Sequence, residues 1–214
     1  MPSEAELRQE MVEIMVALEA RGLNRGTSGN LAVRMGADML VTPSGVTPAR
    51  LSAGQMVRVR PDGTTDPGAL KPSSEWRMHR GLLDRRPEAN AVVHCHSRHA
   101  TILACAGKEI PPLHYMVAVG GGASIPLAPY ATFGSEELAE AVATALDGRS
   151  AALMANHGQV VVARSLRAAL AIAEEVEEQA AVYWGTLAIG GPTLLDAAEM
   201  DRILERFGTY GQKR

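Results

Sequence analysis

The run Ala91-Val92-Val93-His94-Cys95-His96 constrains this chain more than any other stretch. The apolar lead-in, with two β-branched residues, suits a buried strand. Side chains on a strand alternate, so His94 and His96 leave one side of its end and Cys95 leaves the other. Two imidazoles converging on one point are the start of a metal site. A third imidazole, His157, stands after another apolar run, in Ala155-Asn156-His157-Gly158. A carboxylate, Glu75, stands in Pro72-Ser73-Ser74-Glu75-Trp76. Three histidines and a glutamate would complete a tetrahedral Zn²⁺ site. His79, four residues after Glu75, is a rival ligand, and His99 is another. Cys95 reads as a small buried hydrophobe.

Ser3-Glu4-Ala5-Glu6 is a capping box, and Leu7, Met11, Ile14, Met15 and Leu18 follow at helical spacing, with Gly22 suited to close the helix. Residues 31–34 and 39–42 predict a hairpin around Gly36-Ala37-Asp38, and residues 56–60 predict a further strand. A helix is expected from Ser73 or Ser74 to about Arg85. The second half alternates. Strands are expected at 91–94, 151–154 and 160–163, and helices at 98–106, 135–146, 165–189 and 195–207. A Gly-rich, short-stranded segment fills 115–129. Strands and helices mix without a repeated βαβ period. The expected architecture is therefore α/β: a single domain over residues 1–214, with a mixed, largely antiparallel central sheet flanked by helices.

Several function classes fall away on composition. A net charge of −3 gives no electrostatic reason to expect nucleic acid. No apolar run reaches the length of a membrane span. The acidic, polar start Met1-Pro2-Ser3-Glu4-Ala5-Glu6 does not read as a signal peptide. Cys95 and Cys105 are too few for a disulfide framework. A reduced, cytoplasmic protein is expected, with neither nucleic acid nor membrane as partner.

Three turns have the chemistry of anion sites. Gly26-Thr27-Ser28-Gly29-Asn30 packs glycines, hydroxyls and an amide together, and Thr42-Pro43-Ser44-Gly45 is a second such turn. Glycine lets backbone N–H groups close around an anion, and hydroxyls add donors. Pro72-Ser73-Ser74 sits at a predicted helix start, where unpaired N–H groups and the dipole favour phosphate. Turn and cap chemistry alone explains each of the three singly; together, with one adjoining Glu75, they point to a phosphate site. Tyr115, beside the rigid Pro111-Pro112 turn, is either a proton donor or an aromatic packed in a core or interface. The acidic run Glu174-Glu175, Glu177-Glu178 reads as a solvated helix face.

Six stretches taken in order carry a specific resemblance: GLNRGTSGNLAVR, LVTPSGV, KPSSEWRMHRGLLDRRPEANAVVHCHSRHAT, IPPLHYMVAVGGGASIPLAPYATFGSEEL, NHG and FGTYG. They are spread over residues 22–211 of the chain, which resembles the class II aldolase/adducin family. The resemblance implies a zinc enzyme that reversibly cleaves a ketose 1-phosphate into dihydroxyacetone phosphate and an aldehyde. L-fuculose 1-phosphate, giving L-lactaldehyde, is the first substrate expected. The resemblance assigns zinc to His94, His96 and His157, and to Glu75, which also acts as catalytic acid/base. Phosphate binding maps to Thr27, Asn30, Gly45, Ser73 and Ser74. Tyr115 corresponds to a tyrosine that reaches in from a neighbouring subunit to serve the aldehyde side. Phe133, Phe207 and Tyr210 map to the aldehyde end of the pocket. The resemblance also implies a C4 homotetramer with active sites between subunits. The same scaffold hosts sugar-phosphate 4-epimerases, thiosugar-phosphate dehydratases and non-catalytic adducin-like interaction domains, so those remain the alternatives.

Elementary chemistry agrees with the metal. Retro-aldol cleavage leaves an enediolate whose charge must be held by a lysine Schiff base or by a Lewis acid. Lys71, Lys108 and Lys213 are the only lysines, and none lies in a sequence context that would depress its pKa.

Overall fold

The computed structural model describes residues 2–208. Six α-helices and seven strands alternate along the chain: α1 Glu4–Ala20, β1 Asn30–Met35, β2 Asp38–Val41, β3 Val57–Val59, α2 Trp76–Arg85, β4 Ala91–Cys95, α3 Arg98–Cys105, β5 Leu127–Ala128, α4 Glu136–Ala145, β6 Ala151–Met154, β7 Gly158–Ala163, α5 Leu166–Leu187 and α6 Ala197–Phe207. The strands form one sheet in the order β3-β2-β1-β4-β7-β6-β5. Every neighbouring pair is antiparallel except β5 with β6. The sheet is thus mixed and largely antiparallel, as the sequence predicts.

The strand that carries His94 and ends just before His96 lies at the centre, between β1 and β7, and all five of its residues are buried. Alternation divides the core into two. Leu31, Val33, Val93, Cys95 and Val161 pack with residues of α1, α3 and α5 on one face. Ala32, Val92, Val160 and Val162 pack with residues of α2 and α4 on the other. Cys95 therefore lies with the first cluster, on the side away from His94, and burial pushes its thiol up to about 12. It is a core residue and not a ligand.

Capping fixes the helix ends. Ser3 Oγ accepts from the Glu6 N–H, and Glu6 Oε2 accepts from the Ser3 N–H at 2.7 Å, so α1 starts at the predicted box. The start of α2 differs from expectation. The helix begins at Trp76, with Glu75 as N-cap, and Glu75 makes no side-chain cap bond. Ser73 instead forms a turn: its Oγ accepts from the Glu75 N–H and its carbonyl from the Trp76 N–H. The start of α3 also lacks a side-chain cap from its own Ser97. Glu177 of α5 supplies one, accepting from the N–H groups of His99 and Ala100 at 2.9 to 3.1 Å. The acidic run of α5 is thus not uniformly solvated: Glu177 is only partly exposed and holds the turn that follows His96. Among the described residues no helix is long and apolar enough to cross a membrane.

Candidate active site

The site forms where the sheet register brings sequence-distant segments together. His94 lies directly across from Asn30 of β1 and from Val160 of β7. The β1 start, the turn at 42–45 and the turn at 71–75 are tied to each other. The Leu31 N–H donates to Thr42 Oγ1, the Ser73 N–H to the Thr42 carbonyl, and the Ser44 N–H to the Lys71 carbonyl. On the far side, the β6–β7 turn delivers His157. Asn156 there has φ 55°, a left-handed conformation that asparagine tolerates better than most residues.

His94, His96 and His157 bring one ligand atom each within 4.8 Å of one another. Their rings meet edge to face with centroids 4.7 to 4.9 Å apart. His94 Nδ1 lies 2.9 Å from the Gln159 carbonyl, which can only accept, so that nitrogen carries the hydrogen. Its Nε2 then presents a lone pair, 2.9 Å from His96 Nε2. Glu75 closes the group from below α2: Oε2 is 3.3 Å from His94 Nε2 and Oε1 is 3.4 Å from His157 Nε2. Glu75 Oε1 is buried and has no hydrogen-bond partner among the described residues. Converging lone pairs and an unsatisfied carboxylate oxygen are what a divalent cation completes, so this donor set fits a metal.

The electrostatics point the same way. Burial, with His94 and His157 adding to it, pushes His96 down to about 3, and burial and His94 bring His157 to about 4. Burial opposes the charge of Glu75, but His94, the Asn30 amide, His157 and His79 outweigh it and hold the carboxyl at about 2. Neutral imidazoles beside an ionised carboxylate are the protonation states a metal requires. His79, a rival ligand on sequence grounds, is fully buried and stands outside this group. Burial brings it down to about 3. His99, the other rival, pairs with Glu177 at 2.8 Å instead.

A pH dependence follows. In the folded state His79, His96 and His157 sit well below their ordinary 6.5, so the unfolded chain binds more protons as soon as pH drops under that value. Stability must rise with pH across this window and fall as pH drops through it toward 3. Glu75 adds in the same direction, since its depressed pKa contributes stability present above 4.5 and lost as pH falls toward 2. The unfolding free energy of metal-free protein, measured by denaturant titration, is expected to fall steadily from pH about 7 to about 4, with a slope approaching about 1.4 kcal/mol per pH unit from the fully buried His79 alone. A flat profile over that range would contradict the burial of neutral imidazoles.

Beside the histidines lies a cleft of about 340 Å³. Thr27, Asn30, Gly45, Ser73 and Ser74, all expected at a phosphate, line it together with Glu75, His96 and His157. Backbone conformation makes this close packing possible. Gly29 has φ +73°, and a Cβ there would stand 2.2 Å from the Asn24 side chain, whose Oδ1 accepts from the His96 N–H. Gly134 has φ +77°, and a Cβ there would stand 2.8 Å from the Ser74 carbonyl. Glycine at these two positions lets the 26–30 and 130–134 loops close around the cleft. Phe133 lines its mouth and is 67% exposed, as does Tyr130, which sequence reasoning did not single out.

Tyr115 and Phe207 are not brought to this cleft within one chain. They line a separate hollow of about 800 Å³ between a short 3₁₀ turn, Tyr115–Gly120, and α6, where Tyr115 is 52% exposed. Tyr210 lies outside the described residues.

Comparison with known proteins gives the family. The class II aldolase and adducin N-terminal domain matches residues 9–184. The 5-methylthioribulose-1-phosphate/5-deoxyribulose-1-phosphate aldolase of Rhodospirillum rubrum is 46% identical over 205 residues, covering 96% of this chain and 92% of the relative. The L-fuculose phosphate aldolase of Escherichia coli K12 is 44% identical over 206 residues, covering 96% and 95%. Among solved structures, an L-fuculose 1-phosphate aldolase superposes with a TM-score of 0.92 at 37% identity, covering 97% of this chain and 98% of that one. The chain belongs to the class II aldolase family, metal-dependent carbon–carbon lyases, and His94, His96 and His157 form the group that could hold its metal.

Proposed function

We propose that the protein is a zinc-dependent aldolase that reversibly cleaves a ketose 1-phosphate into dihydroxyacetone phosphate and an aldehyde. One observation carries this reading: His96, His157, Glu75 and the three hydroxyl- and glycine-rich turns line a single cleft, with His94 buried beside the two histidines as the third of their group. An enzyme that cleaves a phosphorylated ketose needs a charge sink, a proton carrier and a phosphate anchor within one substrate length. Zinc suits an all-nitrogen and carboxylate donor set. When bound it supplies the positive charge against which an enediolate is stabilised.

The chain's own residues do the rest. Thr27, Asn30, Gly45, Ser73 and Ser74 hold the phosphate and so fix the orientation of the carbon skeleton. Glu75 exchanges a proton with the enediolate carbon through Oε1, the oxygen without a hydrogen-bond partner. Tyr115, from a neighbouring copy in a C4 homotetramer, serves the hydroxyl on the aldehyde side. Its exposure and its distance in the fold from its own chain's cleft support this arrangement. Phe133 shapes the aldehyde end, joined by Phe207 and Tyr210 of a neighbouring copy. A reduced, cytoplasmic setting suits such an enzyme.

L-fuculose 1-phosphate is the substrate proposed, giving L-lactaldehyde. A second reading, a 5-deoxypentulose 1-phosphate or its methylthio counterpart, draws on the Rhodospirillum relative, which is as similar as the fuculose enzymes. Zinc-loaded protein is to be given each of the three sugar phosphates, with dihydroxyacetone phosphate release followed enzymatically and a chelator control alongside. Chelator-sensitive release from L-fuculose 1-phosphate is expected. Faster release from a pentulose phosphate would move the assignment to that substrate. Isomerised or dehydrated sugar phosphate without cleavage would place the chain with the epimerases or dehydratases.

A further inference from the structure

Asn30 stands between two groups that claim opposite ends of its amide. Its Nδ2 donates to Glu75 Oε2 at 2.8 Å, and its Oδ1 faces His79 Nε2 within hydrogen-bond distance. All three side chains are buried, His79 completely. Asn30 comes from the first residue of β1, Glu75 from the N-cap of α2 and His79 from one turn further along α2.

An amide in this place can be turned two ways. With its oxygen toward Glu75, two acceptors would meet where water is excluded. An ionised carboxylate carries no hydrogen, so Glu75 requires the nitrogen end. The oxygen end then falls to His79, and only a hydrogen on Nε2 satisfies it. That fixes the His79 ring as the Nε2–H tautomer and leaves Nδ1 bare. Nδ1 is the ring atom without a hydrogen-bond partner among the described residues. A lone pair without a partner is tolerated in a protein interior more readily than an orphaned N–H.

We infer that His79 is a positioning residue: its Nε2–H holds the Asn30 amide in the orientation that Glu75 requires and, through it, keeps the Glu75 carboxylate aimed at the three-histidine group. His79 does not itself touch the metal position. Without a donor at residue 79 the Asn30 oxygen loses its partner where water is excluded, and the amide is no longer held firmly against the Glu75 carboxylate. The inference rests on reading His94, His96, His157 and Glu75 as ligands, and is independent of which substrate is cleaved.

The test uses zinc alone, titrated into the full-length protein in competition with a chromophoric chelator. His79→Leu and His79→Phe remove the donor with two different shapes, whereas His79→Gln keeps a donor nitrogen. Partners behind metal ligands are typically worth 10- to 100-fold in affinity, so both donorless variants are expected to bind zinc at least about 10-fold more weakly. His79→Gln is expected to recover most of the loss. In an Asn30→Ala background His79→Leu is expected to add nothing, because the two residues act through one bond chain. Wild-type zinc affinity in the donorless variants would overturn the inference, as would an equal fold-loss in the Asn30→Ala background. If neither donorless variant folds, Asn30→Leu carries the test, and undiminished zinc affinity there overturns it. A wild-type protein that binds zinc but releases no dihydroxyacetone phosphate from any of the sugar phosphates would remove the proposed function and leave this result standing.

Discussion

Replacing His94 with alanine is expected to strip the protein of its metal and to lower turnover by at least about 10³-fold, the several kcal/mol that a Lewis acid contributes to a charged transition state. Of the proposed ligands, His94 is the one least able to be spared. It is fully buried at the centre of the sheet, its Nδ1–H is anchored on the Gln159 carbonyl, and its Nε2 faces both His96 and Glu75. Alanine leaves only His96 and His157 of the group and removes the imidazole that Glu75 Oε2 faces at 3.3 Å. Zinc content measured by mass spectrometry should fall from one ion per chain to near zero, with the far-ultraviolet spectrum unchanged. A folded, zinc-free variant that still cleaves sugar phosphate at the wild-type rate would take the metal out of the reaction.

That His94 and His96 share a side was legible from alternation alone, as was the opposite placement of Cys95. The same local logic found the capping box of α1 and the β1–β2 hairpin. It misplaced the start of α2. Ser73 and Ser74 have cap chemistry, but the Ser73 backbone is tied to the Thr42 turn, and Glu75, which occupies the cap position, points its carboxylate at the histidines instead of at its own helix. A local preference gave way to the site. What stayed hidden is long-range. Nothing near Asn30 shows that it will lie across from His94, and nothing near His79 shows that it will lie behind Asn30 and not among the ligands. Glu177, 78 residues after His99, caps α3 only because α5 crosses beside it. Tyr115 and Phe207 carry no local signal that they share a hollow apart from the cleft.

Glu75→Gln isolates the proton carrier from the scaffold. Glutamine has the same shape, and its carbonyl oxygen can still accept from Asn30 Nδ2, so the buried bond at 2.8 Å survives the change. The lost property is charge: a carboxyl held at about 2 is ionised at every pH where the enzyme would work. The three imidazoles remain, and a zinc ion is expected to remain on them. Turnover should fall by at least about 10²-fold, the typical contribution of a positioned acid/base, while KM changes little because the phosphate turns are untouched. A partial reaction separates this from poorer binding. Wild-type protein should exchange one carbon-bound hydrogen of dihydroxyacetone phosphate with D₂O in the absence of aldehyde, a process followed by proton resonance, and the variant should not. Undiminished exchange in a zinc-loaded Glu75→Gln protein would move the proton transfer to another group. If exchange is lost but zinc is lost with it, Glu75 is chiefly a ligand, and the acid/base role must be sought among the other residues of the cleft.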